Sequence, residues 1–238
     1  MPLTFGSLFA GIGGFDLGFE RAGMVCKWQV EIDEYANRVL AKHWPNVRRW
    51  PDVRTWPQPD TERVDVICGG FPCQDISYAG KGAGIHGERS GLFFEAMRIV
   101  CEMGPRVVVL ENVAALLSRG MGDVLGTLAS LGFDAEWDVI PSAAFGLPHY
   151  RERVFVLGYV RDDASIRGRT AKRFFQGIEA NYSRIRARQF MQDSPLLVGA
   201  NDGIPRFVDG RRGLGNSVCP PVAEWIGRRI VEAMEATA

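Results

Sequence analysis

Long apolar runs are missing from this 238-residue chain. Nothing in it approaches the roughly 18 consecutive apolar residues of a membrane-spanning helix. No basic stretch followed by a long apolar run opens the N-terminus, so no secretory leader is expected. Cysteine is sparse. The five thiols (Cys26, Cys68, Cys73, Cys101 and Cys219) are odd in number and form no CxxC pair, which argues against both a disulfide framework and a zinc site. His43, His86 and His149 lie too far apart for ligand spacing, so no metal is expected. Charge of one sign is not in excess: the formal net charge is zero, so any contact with nucleic acid has to come from a local patch. Internal repeats and low-complexity tracts are absent as well. Together these absences indicate a reducing, cytoplasmic setting. The chain is 46% hydrophobic, ample for a real core, and its length fits one domain with at most a small appendage.

The most informative stretch is Gly69-Gly70-Phe71-Pro72-Cys73-Gln74-Asp75-Ile76-Ser77. An apolar run over residues 64–68 leads into it as a short buried strand. Two glycines end the run, and Pro72 fixes the backbone just before a cysteine. A sulfur at the mouth of a strand-to-loop turn can face a pocket, where a local positive field would favour the nucleophilic thiolate. It can equally be a small buried hydrophobe.

Residues 3–9 form a second apolar run, ending at Ala10-Gly11-Ile12-Gly13-Gly14, with a helix expected over 15–21 and a strand over 25–32. Helical pattern returns over 35–43, and the Pro- and Trp-rich residues 45–59 read as an irregular crossover. Residues 106–110 and 154–160 are further strand candidates, 92–103 is helix-like, and a last helix begins near Pro220-Pro221. Strand, glycine turn, helix, strand is the start of a βαβ unit. The expected fold is therefore α/β, a doubly wound, mostly parallel Rossmann-like sheet. The glycine turn departs from G-x-G-x-x-G, because Asp16 stands at the sixth position. Glu31, twenty residues beyond Gly11, is where a carboxylate can meet ribose hydroxyls, which suits adenosine in general. A tight turn without a ligand is the alternative.

Taken together, these residues resemble the C5-cytosine DNA methyltransferase family. Eight short matches run in order over residues 3–158 and 213–230. Phe9 to Gly14 resembles the first motif, which holds S-adenosylmethionine, with Phe9, Gly11 and Gly13 as its contacts. Glu31 and Ile32 fall at the ribose and beside it, and Asp52-Val53 resembles the pair next to the adenine. Gly70-Phe71-Pro72-Cys73-Gln74 matches the nucleophile motif, in which Pro72 also touches the cofactor. Gly91-Leu92-Phe93 matches a segment whose leucine packs on the cofactor. Glu111-Asn112-Val113, Arg151-Glu152-Arg153 and Gly215-Asn216-Ser217-Val218 match three further motifs, the last of which closes the cofactor pocket through Asn216 and Val218.

The resemblance implies a DNA (cytosine-5-)-methyltransferase that produces S-adenosylhomocysteine, acts on double-stranded DNA and uses no metal. Its catalytic residues would be Cys73, adding to cytosine C6, Glu111 on the N3 and N4 edge, Arg153 on the O2 side, and Arg151 orienting the loop or the thiolate. The target base has to leave the duplex to be reached. Residues 74–90, rich in glycine, are then a candidate lid. Ser77, Lys81, Arg89 and Ser90 would contact the DNA backbone or the gap left by the base. A tRNA cytosine-5 methyltransferase and a catalytically inactive DNA-binding relative are the alternatives. The resemblance also brings a monomer, a cognate restriction endonuclease as partner, and the cytoplasm of a bacterial or phage-infected cell.

The chain departs from the family in two places. His149 stands where glutamine is usual. The space for a target-recognition domain shrinks to residues 159–212, between a catalytic domain over 1–158 and a returning segment over 213–238. Residues 161–190 hold eight basic against three acidic residues, with Phe174, Phe175, Tyr182 and Phe190 interleaved. Lys172, Arg173, Arg184 and Arg188 are the expected phosphate contacts, and the aromatics suit base wedging. A small module of this kind implies a short or degenerate target sequence.

Overall fold

The computed structural model of the chain describes residues 1–72, 91–147, 151–163, 174–176, 178 and 217–235. Their strands form one sheet in the order β3-β2-β1-β4-β5-β7-β6. The strands are β1 (Thr4–Leu8), β2 (Val25–Val30), β3 (Arg48–Trp50), β4 (Val66–Gly70), β5 (Val107–Val113), β6 (Phe133–Pro141) and β7 (Glu152–Val160). From β3 to β5 every pairing is parallel; β7 runs antiparallel to both β5 and β6. The helices are α1 (Gly14–Arg21), α2 (Glu34–His43), α3 (Leu92–Met103), α4 (Leu116–Arg119), α5 (Met121–Ser130) and α6 (Pro220–Glu235). The expected α/β architecture with a mostly parallel sheet is what forms. Among the described residues no helix is long and apolar enough to cross a membrane.

Burial on both faces explains the unbroken apolar strands. On one face Phe5, Val66, Val107, Val109, Phe155 and Leu157 pack with α1 and α6. Leu8, Trp28, Ile67, Val108, Leu110 and Val156 point the other way, into a layer with α3, α5 and a 3-10 turn at Val53–Thr55. Alternation along the strands thus sends buried side chains to one core or the other, except across a register irregularity in β2, where Cys26 and Trp28 lie in different cores.

Helix ends follow local chemistry. The Asp33 carboxylate accepts from the Ala36 N–H at 2.8 Å and caps α2. α3 stops at Gly104, whose φ of 59° lies in the left-handed region.

Several elements differ from the sequence reading. The glycine pair does not end β4; it is the last part of it, with Gly69 paired to Leu8 and Gly70 to Glu111. β5 continues through Glu111, Asn112 and Val113 because β7 extends the pairing to Val113 opposite Arg153. The crossover read as irregular contains β3 and the 3-10 turn. α5 and β6 had no counterpart in the sequence reading. In β6 most of the side chains are only partly buried, so its apolar pattern is weak.

Candidate active site

The strand order reverses between β1 and β4: β2 and β3 continue to one side of this junction, β5 to the other. A crevice outside the carboxyl ends of parallel strands is expected at such a switch point. The loops after β1, β2 and β4 all emerge there, and antiparallel β7 brings its first residues to the same end beside β5.

The loop after β1 carries Phe9 at φ 52°, left-handed backbone that a non-glycine residue adopts only when its surroundings impose it. Gly11 and Gly13 follow at φ 56° and 88°. Glu31 fixes this loop. Its carboxylate accepts from the N–H of Gly11 at 2.7 Å and from the N–H of Asp33 at 2.7 Å, while Asn37 donates to its carbonyl at 2.6 Å. Burial pushes the Glu31 carboxyl up, and the two backbone donors pull it back. Next to this buried glutamate, Ile32 is 65% exposed. Asp52 caps the 3-10 turn by accepting from the Arg54 N–H at 3.0 Å, and both its oxygens meet the Arg54 guanidinium, which holds its carboxyl below the usual range. Val53 is buried in that turn, and Leu92 at the start of α3 packs partly buried against the same layer.

The other wall is built on β4, β5 and β7. Glu111 lies directly opposite Gly70 on one side, and Arg153 lies opposite Val113, two residues further along β5. Period-two alternation therefore places Gly70, Glu111 and Arg153 on one face. The absent side chain at position 70 makes room: a Cβ there would stand 2.8 Å from Glu111 Oε2. Arg153 Nε stands 3.0 Å from Glu111 Oε1, an ion-pair contact whose N–H does not point along the line of a hydrogen bond. Burial raises the Glu111 carboxyl, against the lowering fields of Arg153 and Arg151. The result is a buried carboxyl group able to hold or share a proton nearer neutrality than a free glutamate.

Asn112 points to the opposite face. Its Nδ2 donates to the Phe71 carbonyl at 3.0 Å, which ties β5 to the backbone two residues before Cys73. Arg151 donates from Nη1 to the Ser217 carbonyl, joining the start of β7 to the segment that leads into α6. That segment reaches the glycine loop as well: a Cβ on Gly14 would stand 2.3 Å from the Val218 carbonyl oxygen. Val218 itself is buried.

The described residues thus gather Phe9, Gly11, Gly13, Glu31, Ile32, Asp52, Val53, Pro72, Leu92 and Val218 around one end of the sheet, with Glu111, Arg151 and Arg153 beside them. Cys73, His149, Asn216 and the nucleic-acid contacts Ser77, Lys81, Arg89, Ser90, Lys172, Arg173, Arg184 and Arg188 lie outside the described residues. One expectation is corrected. Phe174 and Phe175 are each only 7% exposed, packed at 5.8 Å from the Tyr159 ring and 6.5 Å from the Trp225 ring respectively. Buried area holds them in the core, so they anchor their segment and are not base wedges.

Sequence reasoning gave no role to Asn37, Arg98, Asn112 or Asp16. Asn112 carried a signal, being inside a recognised motif. Asp16 carried one too, as a carboxylate replacing a glycine in the turn.

The profile of the C-5 cytosine-specific DNA methylase family matches residues 3–194. The Type II methyltransferase M.BsuFI of Bacillus subtilis is 33% identical over 222 residues, covering 89% of this chain and 54% of its own length. M.HhaI of Haemophilus parahaemolyticus is 34% identical over 168 residues, covering 69% of this chain and 51% of its own. The chain spans about half the length of the curated relatives it matches. Among solved structures, a protein described as a prophage-encoded DNA modification methyltransferase of Escherichia coli superimposes with a TM-score of 0.57 at 26% identity, covering 67% of this chain and 47% of that one. The Entamoeba histolytica methyltransferase EhMeth, at 13% identity and a TM-score of 0.70 over 99% of both chains, shares the fold. With its ordered motifs converging on one end of the sheet, this chain belongs to the C-5 cytosine-specific DNA methylase family.

Proposed function

We propose that the chain methylates C5 of cytosine in duplex DNA, drawing the methyl group from S-adenosylmethionine. The observation that carries this reading is the buried Glu111 carboxyl, raised by burial and paired with Arg153 at 3.0 Å, at the same sheet end as the glycine loop.

The crevice suits an adenosyl ligand. Phe9, Gly11 and Gly13 offer a closely approachable backbone, Glu31 a carboxylate for ribose hydroxyls, Ile32 an exposed apolar surface for a flat base, and Asp52 a polar edge. Leu92, Pro72, Val218 and Asn216 would complete the pocket. When bound, S-adenosylmethionine supplies a methyl group activated by the sulfonium.

The remaining work belongs to the chain. Cytosine C5 is a weak nucleophile until the ring is charged. The Cys73 thiolate adds to C6, and Glu111 hydrogen-bonds the N3 and N4 edge and supports protonation at N3, so that C5 becomes enamine-like. Arg153 holds the O2 side and keeps Glu111 in place. Arg151 fixes the returning C-terminal segment. After methylation a base or water takes the C5 proton, the C5–H electrons restore the C5–C6 double bond, and the C6–S bond breaks to release Cys73 as thiolate. The base is flipped out of the duplex first. Ser77, Lys81, Arg89, Ser90, Lys172, Arg173, Arg184 and Arg188 are proposed to meet phosphates and the vacated gap, and binding should weaken steeply with salt. The small recognition region supports a short or degenerate target, and the Type II relatives support a cognate endonuclease as cellular partner.

Methyl transfer from labelled S-adenosylmethionine to duplex DNA and to tRNA, measured side by side, tests the reading. DNA labelling lost in Cys73→Ser, with a covalent adduct of the unsubstituted protein on 5-fluorocytosine DNA, is the expected result. Transfer to tRNA alone, or full activity in Cys73→Ser, would overturn it.

A further inference from the structure

Arg98 lies in the middle of α3, and its guanidinium is shared among four acceptors. Nε donates to Glu95 Oε2 at 2.9 Å and Nη1 to Glu102 Oε1 at 2.8 Å, one turn before and one turn after. Nη2 crosses to another element. It donates to the carbonyl of Val53 at 2.8 Å and to that of Trp56 at 2.7 Å, residues more than forty positions earlier in the chain.

The two glutamate pairs are partly exposed and contribute little to stability by themselves. Their effect is directional: with Nε and Nη1 engaged along the helix, the planar fork leaves Nη2 aimed at the turn. The turn's own closing bond is long: the Trp56 N–H donates to the Val53 carbonyl at 3.4 Å, and Arg98 adds a shorter donor to that same oxygen. The turn's inner side is already fixed, since Val53 is buried and the Trp56 ring packs 4.3 Å from that of Trp28 and 5.8 Å from that of Trp50. Arg98 fixes the outer side and ties it to α3.

That connection joins two parts of the crevice. The turn begins at Asp52 and Val53, and α3 begins at Leu92. We propose that Arg98 is a positioning residue for the nucleoside end of the cofactor pocket, setting the spacing between the Asp52–Val53 edge and Leu92 so that the pocket is formed before the ligand arrives. It touches no ligand itself. The proposal rests on the reading that this crevice holds an adenosyl group.

Lysine cannot reproduce this arrangement, because one ammonium on a flexible stem cannot span Glu95, Glu102 and two carbonyls. The test is equilibrium binding of S-adenosylhomocysteine by calorimetry to the full chain and to Arg98→Gln and Arg98→Lys. Far-UV circular dichroism and the ligand-free Tm are recorded alongside. In Arg98→Gln the Kd should rise about tenfold, within the range usual for coupling between separate contacts, with a smaller rise in Arg98→Lys. In steady state the KM for S-adenosylmethionine should rise while kcat at saturation holds. A Tm loss with the Kd unchanged to within about twofold would make Arg98 a structural residue only and overturn the proposal. Should Arg98→Gln fail to fold, Arg98→Lys decides by the same criterion. If the unsubstituted protein binds no S-adenosylhomocysteine, the adenosyl reading of the crevice fails, an outcome distinct from equal binding by all three proteins.

Discussion

Replacing Asp16 with asparagine should remove a slope from the pH dependence of stability. Asp16 is fully buried under the glycine loop, where its carboxylate accepts from Gln29 Nε2 at 2.8 Å, Ser7 Oγ at 3.1 Å and Cys26 Sγ at 3.5 Å. Burial lifts its pKa from 3.8 to about 6, and the three donors keep it from rising further. The unfolded chain releases this proton near 3.8, the folded chain near 6. Between those values the folded state binds more protons, so stability is greatest below the lower one and declines as pH rises through the upper one. At about 1.36 kcal/mol per pH unit, a window of about two units amounts to about 3 kcal/mol. Cys26 and Cys68, whose thiols burial pushes up, stay neutral throughout. Glu31 and Glu111 are raised as well, but they are common to both proteins and cancel in the difference. Asparagine is nearly isosteric; its oxygen can keep the Gln29 bond and its amide can donate to Ser7 Oγ. Urea unfolding followed by tryptophan fluorescence, from about pH 4 to about pH 7.5 at fixed ionic strength, measures the effect. Because pH 4 already lies just above the unfolded value, the variant should gain about 2.4 kcal/mol on the parent between the ends of that range. Parallel profiles would refute the reasoning, because a carboxyl with the same pKa in both states contributes no slope.

Gly70→Ala puts a Cβ 2.8 Å from Glu111 Oε2 and forces a carboxylate already held by Arg153 to move. Methyl transfer should fall at least about tenfold while stability drops by only about 1–3 kcal/mol, read by turnover and by chemical unfolding. Asn112→Ala leaves the Phe71 carbonyl without its buried donor and should destabilise the fold by about 1–3 kcal/mol, with slower adduct formation on 5-fluorocytosine DNA. Phe175→Ala removes a buried anchor and should lower stability by about 3–5 kcal/mol in thermal unfolding. Unchanged stability with weakened DNA binding would restore the base-wedge expectation for that ring.

Much of the sheet end was legible because its signals are local. Glycines between an apolar run and a helix announce a turn, and a carboxylate twenty residues later announces a second strand end, whatever the rest of the chain does. Where the local pattern was weak, the reading missed. β6 has mostly half-buried side chains and gained its place only by pairing with β7. Gly69 and Gly70 read as a break because glycine disfavours strands, yet pairing of Gly69 on both sides and of Gly70 with Glu111 keeps them in the sheet. Phe174 and Phe175 sit among basic residues and read as surface until Tyr159 and Trp225 cover them.

By itself the amino-acid order determined the family, the α/β class, and which residue types stand ready for chemistry at which strand ends, since motifs and periodicity are written along the chain. Contacts between distant segments were left to the tertiary structure. It decided that Glu111 is buried against Arg153, that Gly70 is the space Glu111 occupies, that Asp16 holds its proton to about pH 6, and that Arg98 grips a turn more than forty residues away. The reason is physical: burial and ion pairing depend on what packs from the other side of the sheet, and no local stretch specifies its distant neighbours.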